Sequence, residues 1–399
     1  MNEYHYTGYA QEIIFGAGAL ARLADLVEPF GWRRLLLCSS GSLRRDGTID
    51  GIARALGDRL VAVYDSALSH THESQVAEVA ALAEQHEVDA VIALGGGGAL
   101  GIAKAVSLAL EEQRRARSEY PVGETGNNET IQPARAAFPT AQPLVPVIAI
   151  PTTYAGSEMT PVYGITRQFG DKTRKITVSD PRAAPKLVIY DPLLTLHLPP
   201  VITASTGINA LAHCVEALYS ITRNPLSTAT ALSGIDIITR SLPRCYADGS
   251  DQLARAEMLS GAHLAGVALA HVVMALHHGI CHVLGGTAGV PHGIANSIML
   301  PHAIRFNSDA EAPVLAQAAE AMGIARGERD DEEMAEQAAR RVYSLVGQMH
   351  LPQRLRDVGV TEAALPELAQ LAFQSRTVQN NPKPIASAAQ LETLLRAAW

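Results

Sequence analysis

"VIALGGGGALGIAKAV", residues 91–106, decides the fold class of this chain. Its apolar opening suits a strand buried on both faces, four glycines end that strand at Gly95–Gly98, and the apolar, alanine-rich stretch beyond them suits a helix. Glycine lets the backbone approach a diphosphate, and the start of the following helix offers free N–H groups and the positive end of its dipole. The spacing is neither GxGxxG nor GxxxxGK[ST], so the run alone fits a tight strand-to-helix turn as well as a phosphate cradle.

Outward from this stretch, "RRLLLCSS" (33–40), "RLVAVYD" (59–65) and "LVPVIAIPTT" (144–153) read as further buried strands. Helical spacing fills 18–31 and 73–87, so a mostly parallel sheet covered by helices is expected. From about residue 196 strand signals give way to helical ones. A chain of 399 residues exceeds the roughly 250–300 that one core supports, so two domains are expected. They are an α/β dinucleotide-binding domain over 1–195 and an all-helical catalytic domain over 196–399. Residues 262–284, apolar all round except for histidines, read as one core helix, and the polar stretch 111–142 as a long insertion.

Hydrophobic residues make up 47% and charged residues 18%, which excludes a disordered chain. A net charge of −8 without a Lys/Arg block argues against nucleic acid and against a polybasic membrane patch, leaving a small molecule as the expected partner. The start "MNEYHYTGYAQEIIFGAG" lacks a signal-peptide pattern, and the most apolar run is broken by glycines and Lys104. Cys38, Cys214, Cys245 and Cys281 form no CxxC pair. A soluble cytoplasmic protein with free thiols is the expectation.

Two groups of polar residues could carry chemistry. In "IPTTYAGSEMTPVYGIT" (150–166) a buried strand delivers Thr152, Thr153, Tyr154, Ser157, Glu158 and Thr160 to the carboxyl edge of the sheet, where open α/β sheets bind ligands. In the second half, Asn209 and His213 share a helix face, as do His278 and His282. His292 follows in a loop opened by Gly285 and Gly286 and closed by Pro291. Such a cluster could hold a metal, move protons or pack a core.

In this order the glycine run, "PTT…GSE", "GINALAHCVEALY" and "LHHGICHVLGGTAGVPHGIANSIMLPHAIRFN" resemble the iron-containing (group III) alcohol dehydrogenase superfamily, with its dehydroquinate synthase-like fold, over nearly the whole chain. The resemblance implies NADH or NADPH held by Gly95, Gly96, Gly97, Gly98, Thr152, Thr153 and Ser157, with Lys175 near a ribose. Ser39 falls where NAD-preferring members carry an acidic residue, and Arg44 and Arg45 nearby suit NADP, so cofactor preference stays open. A homodimer is implied as well.

Metal-dependent members show an aspartate, a histidine four residues on, and two more histidines fourteen apart. Positions 209, 213, 278 and 292 match that spacing, yet residue 209 is asparagine. Loss of the one anionic ligand weakens a divalent site, so no metal is expected; if one binds, Fe²⁺ or Zn²⁺ would sit on Asn209, His213, His278 and His292. Gly101 likewise replaces an aspartate usual in alcohol dehydrogenases, and "PTTYAGSEMTP" replaces a longer segment. These departures resemble the maleylacetate reductase branch. They imply NAD(P)H-dependent reduction of the small dicarboxylate maleylacetate to 3-oxoadipate in aromatic-compound degradation. His278 or His282 would act as the acid, with His213, His292 and Asn209 orienting substrate oxygens. The alternatives are a metal-dependent alcohol or aldehyde oxidoreductase and a non-catalytic cofactor-binding protein.

Overall fold

The computed structural model describes residues 4, 6, 8–68, 71–117, 143–169 and 172–399. They form two compact units, one of Gly8–Thr152 with Ser157–Leu194, the other of Thr195–Trp399 with Thr153–Gly156 and the start of the chain.

The first unit contains strands β1 (Glu12–Phe15), β2 (Leu35–Cys38), β3 (Leu60–Tyr64), β4 (Thr71–His72), β5 (Ala90–Gly95), β6 (Val147–Pro151), β7 (Val162–Phe169), β8 (Lys172–Ser179) and β9 (Leu187–Tyr190). Six of them pair, all parallel, in the order β1-β9-β6-β5-β2-β3. Every residue of β2, β5, β6 and β9 is buried, as a parallel sheet covered on both faces requires. The leucines Leu35, Leu36 and Leu37 are wholly buried, each stabilising the unit by about 1.5–3 kcal/mol. The chain runs outward from β2 to β3 and then returns to place β5 on the other side of β2, so the strand order reverses between β2 and β5. That reversal is where open α/β sheets form their ligand crevice.

Helices α1 (Leu23–Val27), α2 (Gly41–Arg45), α3 (Thr48–Leu56), α4 (Glu73–Gln85) and α5 (Gly97–Arg117) belong to the same unit. The expected strands at 33–40, 59–65, 88–97 and 144–153 are present in shortened form, whereas β7 and β8 form an antiparallel hairpin absent from the sequence reading. The expected insertion at 111–142 is helical through Arg117; its remainder, 118–142, lies outside the described residues.

The second unit is helical: α6 (Pro200–Tyr219), α7 (Pro225–Ala247), α8 (Gln252–Ala270), α9 (Leu276–Ala288), α10 (His292–Ala321), α11 (Asp331–Gln348), α12 (Leu365–Gln374), α13 (Arg376–Gln379) and α14 (Ala388–Ala397). Among the described residues α6 alone is long and apolar enough to cross a membrane, and 83% of its apolar window is buried, as a core helix requires. Leu276, Ile280 and Leu284 of α9 enter one apolar cluster with Ile298, Leu365 and Leu391.

The single helix expected over 262–284 is instead two, because the chain leaves helical geometry between α8 and α9. The freed backbone groups are met from the end of α6 and the turn after it. Ser220 Oγ donates to Val273 O (2.8 Å), Val273 N donates to Thr222 Oγ1 (2.9 Å) and Ala275 N donates to Glu216 Oε1 (2.8 Å). Those partners lie more than 50 residues away, so periodicity within 262–284 could not reveal the break. His292 is also no loop residue: Gly285 and Gly286 lie inside α9, the turn is made by Gly289 at φ 69°, and α10 starts at His292 behind Pro291.

Candidate active site

In the α/β unit the glycine run does what its composition suggests. Gly95 ends β5 at φ 139°, a conformation side chains rarely adopt, and α5 begins two residues later at Gly97. Thr152 N donates to Gly95 O (3.1 Å), which joins the ends of β5 and β6. A Cβ built on Gly97 would meet nothing within 4 Å, so the start of this 21-residue helix is open on that side. Gly95, Gly96, Gly97, Gly98 and Thr152 therefore gather at one carboxyl edge.

Other expected cofactor residues fare differently. Ser39 follows β2 beside them, but its side chain is wholly buried and its hydroxyl donates its one hydrogen to Leu94 O (3.0 Å), tying β2 to β5. Arg44 is paired with Asp65 (2.6 Å) and Asp50 (3.4 Å), so its charge is already answered. Lys175 stands opposite Thr166 in the β7–β8 hairpin, with its side chain outside the described set. Ser157 is half-buried, and its carbonyl is held by Lys104.

Lys104, a wholly buried cation of α5, was absent from the expected site. Its Nζ donates to the carbonyls of Ser157 (2.7 Å), Thr160 (2.7 Å) and Val162 (2.9 Å), pinning the segment that follows β6. Burial pulls this ammonium down to about 7, while nearby Glu158 pulls it up. Three converging carbonyls match the three N–H donors of the charged form. Its sequence signal was a lone charge in the apolar stretch "GIAKAVSLAL".

In the helical unit the histidines converge. His213 of α6 stacks on His278 of α9 with ring centres 4.7 Å apart, and His278 stands 6.3 Å from His282 and 5.9 Å from His292. His282 and His292 stack at 5.7 Å. Asn209, one turn before His213, donates through Nδ2 to Ala155 O (3.4 Å). Gly156 next to it, at φ 74°, runs against Gly266 and the His213 ring, where a Cβ would stand 3.2 Å from Gly266 Cα. All five expected residues, Asn209, His213, His278, His282 and His292, thus fall in one cluster. Asn209 Oδ1, His213 Nδ1 and His278 Nε2 are buried without a hydrogen-bond partner, an unusual concentration that points to a ligand's polar groups.

Burial holds the inner imidazoles uncharged. It lowers His278 to about 3 and His277 to about 4, and drives His213 well down, with neighbouring imidazoles adding to each effect. Behind His278 lies a second group that was not expected, Glu216, wholly buried seven residues after Asn209 on the same face of α6. It accepts from Ala275 N (2.8 Å) and His278 N (3.4 Å) and is hydrogen-bonded to His278 Nδ1. Burial raises its carboxyl above the ordinary range, offset in part by His277 and these N–H groups.

The N-terminal and C-terminal models of iron-containing alcohol dehydrogenases match residues 10–192 and 203–399. The chain belongs to the iron-containing alcohol dehydrogenase family. A maleylacetate reductase of Sphingobium indicum is 34% identical over 395 residues, covering 99% of this chain and 97% of its own. One from Pseudomonas knackmussii is 35% identical over 387 residues, covering 97% and 95%. The crystal structure of maleylacetate reductase from Agrobacterium tumefaciens matches at TM-score 0.82 and 30% identity, covering 100% and 99%. This family member is an NAD(P)-dependent oxidoreductase.

The family name implies iron, and the buried unpaired atoms test whether the residues suit it. Asn209, His213, His278 and His292 would bring one carboxamide and three imidazoles, four neutral donors, to a dication. A hard divalent ion is held best by carboxylate oxygen, so this set is a poor fit for iron(II). Glu216 does not repair it, since its oxygens are committed to Ala275 and His278 on the Nδ1 side of that ring.

Proposed function

We propose that this enzyme uses NADH or NADPH to reduce the carbon–carbon double bond of maleylacetate, giving 3-oxoadipate, without a resident metal. The observation that carries the reading is the set of buried, unpaired polar atoms on Asn209, His213 and His278 in a cluster of histidines. A carboxylate at position 209 would repel a dianionic substrate, whereas a carboxamide does not. Full-length similarity to maleylacetate reductases supports the same choice.

A nicotinamide cofactor held at Gly95–Gly98 and Thr152 would supply a hydride to the alkene carbon β to the oxo group, which would leave negative charge on the enolate oxygen. A proton from a cluster histidine, His278 or His282, would end on the adjacent carbon, so that one hydride from the reduced cofactor and one proton from the protein saturate the double bond. A donor aimed at such developing charge contributes about 3–4 kcal/mol. Asn209, His213 and His292 orient the substrate oxygens.

The test is loss of reduced-nicotinamide absorbance when chelator-treated enzyme is mixed with maleylacetate and either cofactor. Turnover is expected with at least one cofactor, and His282→Ala or His278→Ala should lose far more kcat than Asn209→Ala. Activity that appears only after Fe²⁺ or Zn²⁺ is supplied, or only toward simple alcohols and aldehydes, overturns the proposal.

A further inference from the structure

Sequence spacing treats His278 and His282 alike as proton donors, but the surroundings of His278 separate them. His277 Nε2 lies 3.3 Å from Asn296 O. A carbonyl can only accept, so that nitrogen carries the hydrogen of the neutral ring and leaves His277 Nδ1 a bare acceptor. This acceptor faces His278 Nδ1 at 3.3 Å. On its other side His278 Nδ1 meets Glu216 Oε2, and the Glu216 oxygens already receive the fixed N–H groups of Ala275 and His278. Two acceptors therefore converge on His278 Nδ1, and the stacked His213 ring holds the imidazole plane.

We propose that Glu216 is a positioning residue that accepts the Nδ1 hydrogen of His278, so that the neutral ring turns a bare Nε2 lone pair toward the substrate groups. This deepens the reductase reading of the same site and rests on it for its catalytic consequence. A ring with its one hydrogen at Nδ1 accepts at Nε2 and does not donate there, which leaves His282 as the proton donor.

The experiment is ¹⁵N NMR of histidine-labelled, full-length enzyme, with His278 assigned by its loss in His278→Gln. The wild type should show the Nδ1–H tautomer. In Glu216→Gln the amide oxygen keeps the shorter backbone bond, from Ala275 N, which turns the NH₂ toward His278 Nδ1, so the ring hydrogen moves to Nε2. There kcat should fall about 10- to 100-fold while NADH affinity stays within about twofold. Glu216→Asp should keep the Nδ1–H tautomer and part of the activity. An Nε2–H tautomer in the wild type overturns the inference, as does unchanged kcat in a folded Glu216→Gln. The wild-type tautomer is read without substrate, so failure of the maleylacetate reading leaves this test intact.

Discussion

Lys104→Met removes the buried ammonium that ties α5 to the segment after β6 while keeping an unbranched apolar side chain of similar length. Three charge-assisted bonds disappear, to Ser157 O, Thr160 O and Val162 O. Ser157 O keeps donors from Thr160 N (3.1 Å) and Thr160 Oγ1 (3.1 Å), so the loss falls mainly on the other two carbonyls. A buried acceptor left short costs about 1–3 kcal/mol, so two cost about 2–6 kcal/mol. Relief from burying the ammonium offsets part of the sum, so the expected net cost is about 3–4 kcal/mol. At 1.4 kcal/mol per decade, this is roughly a 10²- to 10³-fold faster local opening. The assay is amide hydrogen exchange over residues 157–166, with α10 and α11 as internal reference. Protection should fall in the α/β unit alone. Unchanged exchange over 157–166 would show that Lys104 fills space without pinning the segment, and an equal loss in the helical reference would mean global destabilisation.

Asn209→Asp restores a carboxylate to a cluster whose other expected ligands are imidazoles, so dialysis against Zn²⁺ followed by elemental analysis should show metal retained by the variant and little by the wild type. Equal retention would refute the charge argument. Gly101→Ala places a Cβ against the Thr71 hydroxyl, which is 4% exposed, and overpacking of this kind costs about 1–3 kcal/mol. Denaturant titration should show that loss, and Thr71→Ala in the same chain should return most of it; an additive double variant would contradict the contact. His277 and His278 are held at about 4 and about 3 when folded, whereas unfolded histidine titrates near 6.5. Between those values the unfolded chain binds protons that the folded one does not, so stability is lost as pH falls below about 6.5. Urea midpoints should drop between about pH 7 and pH 5, less so in His277→Asn, and a flat profile would refute it.

Features that were legible in the sequence depend on short-range geometry. Asn209 with His213, and His278 with His282, share helix faces because four residues nearly complete a turn, and a helix keeps that relation wherever it is packed. The all-buried strands β2, β5 and β6 announced themselves as unbroken apolar runs. The β7–β8 hairpin did not, since "VYGITRQFGDKTRKITVS" mixes polar residues and glycine through both strands and its pairing is set by register, not by an apolar run. Ser39 shows a different limit: its place at the end of β2 could be located, but the commitment of its hydroxyl to Leu94 could not.

Lys104 and Glu216 expose the deeper reason why the site was only half readable. Each is a lone charge in an apolar stretch of helix, and as a sequence signal each looks like an ordinary blemish in the pattern. What gives each a role is the set of groups that meet it: three carbonyls from residues 157–162 for Lys104, and backbone N–H groups plus an imidazole from residues 275–278 for Glu216. Burying an ion without such partners would cost far more than either unit's margin of stability, so a charged residue that survives inside a core is evidence that its partners exist. By that logic the asparagine at 209 and the glutamate at 216 belong to one argument. The cluster carries a carboxamide where a carboxylate would face a ligand directly and holds a carboxylate behind His278, where it can set a proton's position on an imidazole without repelling an anionic substrate.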